Sequence, residues 1–211
     1  MSNKSRSRGD LLIVSAPSGG GKTSLVNALL AADDRLSLSV SHTTRKPRPG
    51  ERDGEHYHFV DDGVFDGLVA EDAFLEHAVV FGNRYGTHEG LLTQKLEQGL
   101  DVVLEIDWQG ARLVRERFRD CASIFILPPS LTALQDRLSR RATDSPDVIR
   151  KRMDQAKSEM SHWPEFDFLV INDQFESALE DLKAVLRSLR LARGRQQKDH
   201  HELLAELLGN G

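Results

Sequence analysis

Four apolar positions in a row, Leu11 to Val14, give way to a glycine-dense turn and then to apolar positions at helical spacing (Leu25, Val26, Ala28, Leu29). A short uninterrupted apolar run is the pattern of a strand covered on both faces, and the period that follows is that of an amphipathic helix. The alternation returns three times downstream. Residues 101–106 predict a second buried strand and 111–118 a helix. Residues 123–127 predict a third strand, stopped by Pro128-Pro129, with Ser130 placed to cap a helix running to about 140. Thr143-Asp144-Ser145-Pro146 breaks that helix, and a new one is predicted over 146–160. Pro164 ends that segment, 168–171 is a fourth strand, and a long helix runs over about 175–193. Strands alternating with helices around a glycine loop predict an α/β fold: a parallel sheet core covered by helices on both faces.

Between 37 and 99 the pattern changes. Apolar runs shorten, and strict alternation appears in His56-Tyr57-His58-Phe59-Val60. A small helix is expected from Asp62, a tight turn at Gly82-Asn83 and a helix over 87–98. The expected organisation is therefore a mobile tail over 1–10, a core built from 11–36, 98–136 and 153–194, a strand-rich insertion over 37–97, and a tail with a short helix over 195–211. That last helix, near 200–208, is expected to be either loosely attached or used at a contact between copies in a homo-oligomer.

The glycine turn carries the first chemistry. It reads Ala16-Pro17-Ser18-Gly19-Gly20-Gly21-Lys22-Thr23-Ser24 between strand and helix, the context in which a G-K-T match becomes a phosphate site. Glycines let backbone N–H groups curl round an anion, and the helix beginning at Lys22 turns its positive end to the same spot. Lys22 is placed to reach the terminal phosphates of a nucleotide, and the Thr23 hydroxyl to ligate Mg²⁺. The pattern asks for glycine where Ala16 stands, so the backbone there must avoid positive φ.

A second candidate site is Ser41-His42-Thr43-Thr44-Arg45-Lys46-Pro47-Arg48-Pro49-Gly50. Its prolines deny it a helix, so Arg45 and Arg48 lie in a stiffened extended segment where their forks can converge on one anion. On charge alone the segment reads as a solvated basic loop. The chain's two tyrosines, Tyr57 and Tyr85, flank the insertion and offer donors to the same phosphate.

Together these stretches resemble the guanylate kinase family. The resemblance rests on A-P-S-G-G-G-K-T (16–23), V-S-H-T-T-R-K-P-R-P-G-E (40–51), G-E-H-Y (54–57), F-L-E-H-A (74–78), F-G-N-R-Y-G-T (81–87), L-E-I-D-W-Q-G (104–110), F-I-L-P-P-S (125–130) and V-I-N-D (170–173). It implies a P-loop fold in which the γ-phosphoryl of ATP passes to GMP (and dGMP), giving ADP and GDP, with Mg²⁺. It implies that Arg45, Arg48, Tyr57 and Tyr85 hold the GMP phosphate and that Ser41, Glu76, Thr87 and Asp107 contact guanine. It also implies a helical lid over 137–152 whose arginines are Arg137, Arg141 and Arg152, and an adenine-side contact at Asn172-Asp173. Glu105 stands where the family generally has an aspartate organising Mg²⁺. Its extra methylene moves the carboxylate outward, toward contact through water. The residue types fit these roles. Carboxylates accept from guanine N1–H and N2–H₂, and hydroxyls donate to O6.

Composition narrows the alternatives. The net charge of −5 gives no basic groove for nucleic acid, and no apolar stretch is long enough to span a bilayer. One cysteine, Cys121, fits a reducing cytoplasm. His56-x-His58 and His200-His201 lack further ligands at metal spacing, so no structural metal is expected. Three rival readings stay open. They are a P-loop kinase with another acceptor, a GTPase switch (against which the chain lacks N-K-x-D), and an inactive guanylate-kinase-like module that holds a partner.

Overall fold

Every residue of the strand Leu11–Ser15 (β1) is buried, because this strand is the centre of a five-stranded parallel sheet. The computed structural model describes residues 7–80, 82–139 and 146–209. After β1 come α1 (Lys22–Ala32), β2 (Leu36–Leu38), β3 (His42–Thr43), β4 (His58–Phe59) and α2 (Asp62–Ala70). Then follow β5 (Phe74–Val80), β6 (Asn83–His88), α3 (Glu89–Glu97), β7 (Asp101–Glu105), α4 (Trp108–Arg117) and β8 (Ala122–Leu127). The chain continues through α5 (Leu131–Ser139), α6 (Pro146–Met160), a 3₁₀ turn at Trp163–Glu165, β9 (Phe168–Ile171), α7 (Phe175–Leu191), α8 (Arg193–Asp199) and α9 (His201–Leu207).

The main sheet runs β2-β7-β1-β8-β9. Alternate side chains of β1 serve its two faces. Leu12 and Val14 pack with Leu25 and Leu29 of α1 and Leu182 and Leu186 of α7. Leu11 and Ile13 pack with Leu92 and Leu96 of α3 and Ala111 and Val114 of α4. All five strands point the same way, so their carboxyl ends open on one side, where ligands of such sheets bind. A second sheet, β4-β3-β6-β5, stands beside them, with a bulge in β5 between Phe74 and Glu76.

Several boundaries differ from the expected ones. The three-residue β2 pairs Ser37 with Val102 and Leu38 with Val103, so the main sheet takes residues assigned to the insertion. Helix α3 likewise belongs to the core, through Leu92 and Leu96. Thr87 lies in β6 rather than opening a helix, and the His88 ring accepts from Leu91 N to start α3. Helix α4 begins at Trp108, three residues early, because Asp107 caps it.

Residues 7–10 and helix α8 are tied to the core. Gly9 N donates to Leu96 O at 2.8 Å, and Ser7 hydrogen-bonds Asp199. Arg190 bridges Asp33 and the buried Asp101, and Arg195 bridges Asp10, Asp101 and Asp199. A carboxylate as buried as Asp101 demands such partners, and that demand docks α8. Among the described residues no helix is long and apolar enough to cross a membrane.

Candidate functional site

The loop after β1 takes its shape from two left-handed glycines, Gly19 (φ 83°) and Gly21 (φ 90°), and a turn closed by Gly20 N donating to Pro17 O at 2.9 Å. Among the described residues only Asp72 is a non-glycine with positive φ, so Ala16 keeps ordinary backbone as required. A Cβ on Gly20 would stand 3.0 Å from that of Ala16, so the alanine is accommodated because its neighbour has no side chain. Helix α1 starts with no side-chain cap and no acid in its first turn, which leaves its first amides open to an anion. Lys22 Nζ donates to Ile106 O at 3.0 Å. The Thr23 hydroxyl donates to the Glu105 carboxylate at the end of β7.

Asn172 was expected beside adenine, but its buried side chain lies under the loop. Its Nδ2 donates to Gly20 O at 2.8 Å, and a Cβ on Gly21 would fall 2.3 Å from that nitrogen. The side-chain amide is a strut for the loop, and the backbone carbonyl of Asn172 accepts from Arg137 Nη2 at 2.8 Å. Arg137 Nη1 is buried with no hydrogen-bond partner among the described residues. Arg152 lies half-buried on α6. Arg141 lies outside the described residues.

In the second sheet Arg45 is held by Glu51 through contacts of 2.8 and 2.9 Å from Nη2 to both carboxylate oxygens. Its guanidinium lies 5.3 Å over the Tyr57 ring, and the Tyr57 and Tyr85 rings meet edge-on at 5.8 Å. The Arg48 side chain is exposed, while its backbone N–H donates to Glu51 at 2.7 Å. Ser41, beside β3, is half-buried, and its carbonyl accepts from His58 N. Arg45 holds the Glu51 carboxyl below its ordinary range. Sequence reasoning passed over Glu51; the signal was a lone acid closing a proline–glycine turn that carries two arginines.

Glu76 sits just past the bulge of β5, where the strand turns its carboxylate inward. It is 6% exposed and accepts from the Thr87 hydroxyl at 2.7 Å. Burial first, then the nearby Asp107, push its pKa up to about 7. Gly110 of α4 passes so close that a Cβ there would lie 2.9 Å from Glu76 Oε2, a constraint the sequence pattern did not expose. Asp107 accepts from Gly110 N at 2.8 Å, so one of its oxygens is committed to the helix. Thr87 likewise spends its single proton on Glu76, and must rotate before it donates elsewhere.

The halves face each other across the end of β7. Burial and the charge of Glu105 raise the Tyr57 phenol, and after burial the charge of Asp107 raises both Glu76 and Glu159. Glu159, also unforeseen, accepts from Ser18 N at 2.9 Å. The cleft therefore has a backbone-amide cradle with Lys22 on one wall, an arginine–tyrosine cradle on the other, and a buried carboxyl at the foot of the second.

The family profile described as "Guanylate kinase" matches residues 8–189. A guanylate kinase of Alkalilimnicola ehrlichii is 57% identical over 201 residues, covering 95% of this chain and 99% of that one. The Escherichia coli K12 guanylate kinase is 52% identical over 205 residues, covering 96% and 99%. Among solved structures, the crystal structure of guanylate kinase from Anaplasma phagocytophilum aligns with a TM-score of 0.74 at 34% identity, covering 92% of each chain.

Proposed function

The chain belongs to the guanylate kinase family, and we propose that its two facing cradles hold ATP and GMP with their phosphates end to end. As an enzyme of that family it transfers the γ-phosphoryl of ATP to GMP, giving ADP and GDP. The loop 16–24 with Lys22 takes the ATP phosphates. Arg45, Arg48, Tyr57 and Tyr85 take the GMP phosphate, and Glu76, Thr87, Asp107 and Ser41 take guanine. The observation that carries this assignment is the buried Glu76–Thr87 pair beside Asp107. A carboxyl raised to about 7 by burial costs stability when it ionises, and guanine N1–H and N2–H₂ are donors that would favour its ionised form.

The attacking oxygen belongs to a phosphate whose second pKa is about 6, already largely dianionic at neutral pH. No general base is needed. Catalysis reduces to alignment and charge neutralisation. Glu51 holds Arg45 in place before GMP arrives, so less side-chain freedom is lost on binding. Lys22 leaves Ile106 O for the terminal phosphates, and Arg137 Nη1, buried and unpartnered among the described residues, turns to the transferring group with Arg141 and Arg152. Thr23 and Glu105 form a hard-oxygen pair of the kind Mg²⁺ takes, directly and through water, and bound Mg²⁺ supplies neutralisation of the phosphate charge. Segment 137–152 acts as a lid that closes with the insertion when both nucleotides are bound. The deoxy acceptor dGMP is expected to react as well. Both substrates are cytoplasmic metabolites, which supports a cytoplasmic location.

A coupled ADP-release assay with ATP and Mg²⁺ across GMP, AMP, UMP and CMP tests this site. Turnover with GMP at least about 10³-fold above the other acceptors is expected. Comparable turnover with AMP would remove Glu76 from base selection.

A further inference from the structure

Glu159 places a carboxylate against the phosphate loop, where like charge opposes an incoming triphosphate. It is carried by α6, the helix that also carries Arg152. The two are seven positions apart, so they share one face of α6, about 10.5 Å apart along its axis. Met153, Ala156 and Met160 of the same helix pack on Leu134 and Leu138 of α5. Those leucines fill the space beside Gly19, with a Cβ there only 3.0 Å from either. The apolar contacts hold α6 near the loop but are non-directional and leave it free to roll. The Ser18 N–H to Glu159 Oε2 bond, at 2.9 Å, is directional.

We infer that Glu159 is a positioning residue, the pin that fixes the rotation of α6 on the phosphate loop and so sets where Arg152 meets the transferring phosphoryl group. The inference rests on the assignment of the loop to ATP and of Arg152 to the reacting phosphates. Burial raises the Glu159 carboxyl, the Ser18 amide and Lys22 offset part of that rise, and the nearby Asp107 adds to it, so the carboxyl is held above its ordinary value beside the loop. The contrary role is a placeholder that occupies the amide until ATP displaces it.

Steady-state kinetics of Glu159→Ala, Glu159→Gln and Glu159→Asp, beside the parent, separate these roles. The alanine variant is expected to lose about 30-fold in kcat through misplacement of Arg152, with KM for GMP within about twofold because the GMP cradle is built on other elements. Glutamine keeps an acceptor oxygen at the same reach and is expected to recover kcat to within about fivefold of the parent. Aspartate keeps the charge but falls one methylene short, and an approximately tenfold loss is expected. It tests the same seat if the alanine variant does not fold. A parent-like kcat in the alanine or aspartate variant would overturn the inference. So would tighter ATP binding at undiminished kcat, the mark of a placeholder, or a glutamine variant no better than alanine. If the parent itself makes no GDP, the functional assignment fails instead, so the two failures are distinguishable.

Discussion

Replacing Glu76 with glutamine should stabilise the empty protein while disabling it. In the folded state the Glu76 carboxyl keeps its proton up to about pH 7, whereas an unfolded glutamate releases it near 4.5. Between those values the folded state binds the extra proton, so stability falls as pH rises, and the penalty is complete above about 7. The gap corresponds to roughly 3 kcal/mol, an upper bound once the cleft relaxes. Glutamine is neutral, nearly isosteric, and still accepts from Thr87. At pH 8 its melting temperature is expected about 6 °C above the parent's, and at pH 4.5 within about 1 °C. The same change turns an amide donor toward guanine N1–H, and kcat/KM for GMP is expected to fall about 10³-fold or more. KM for ATP should hold within about twofold, since the ATP cradle is built on other elements. Thermal melts at both pH values and coupled ADP-release kinetics read the two effects. A glutamine variant no more stable than the parent at pH 8 would show that Glu76 carries no buried-charge penalty. Unchanged kcat/KM for GMP would take it out of guanine recognition.

Because GMP selects ionised Glu76, KM for GMP should rise about tenfold per pH unit below pH 7 in the parent and lose that component in Glu76→Gln; a parallel profile in both would refute the assignment. Arg137→Ala should lower kcat about 10³-fold with a small change in melting temperature, and a loss of stability in proportion to the loss of rate would make its role structural. Glu51→Ala, which releases Arg45 from its two-oxygen hold, should raise KM for GMP about tenfold and leave KM for ATP unchanged; an unchanged KM for GMP would mean that Arg45 needs no prior positioning.

The parallel core could be read from sequence because each buried strand is a continuous apolar run, and the loop because only glycine tolerates the backbone at positions 19 and 21. The edge strand β2 could not. Leu36-Ser37-Leu38 is too short to carry a period, and its place is set by pairing with β7, more than sixty residues away. Distance in sequence also hid the arginine bolts of α8, since Asp101 and Arg195 declare their partnership only once both are buried. At the site, residue types were legible and orientations were not. Asn172 was assigned to adenine, yet its amide is taken by Gly20 O. Asp107 was expected at guanine, and in the fold one of its oxygens also caps α4. Glu51 and Glu159 had no role in the sequence reading, and only the fold brings them to Arg45 and Ser18.

Phosphoryl transfer depends on a backbone-amide cradle with Lys22 facing an arginine–tyrosine cradle. Its most direct test is GDP formation from ATP, Mg²⁺ and GMP by the purified parent and by Lys22→Ala. GDP from the parent and a loss of about 10³-fold or more in the variant are expected. No GDP from the parent, or parent-like GDP formation after the lysine is removed, would contradict the account.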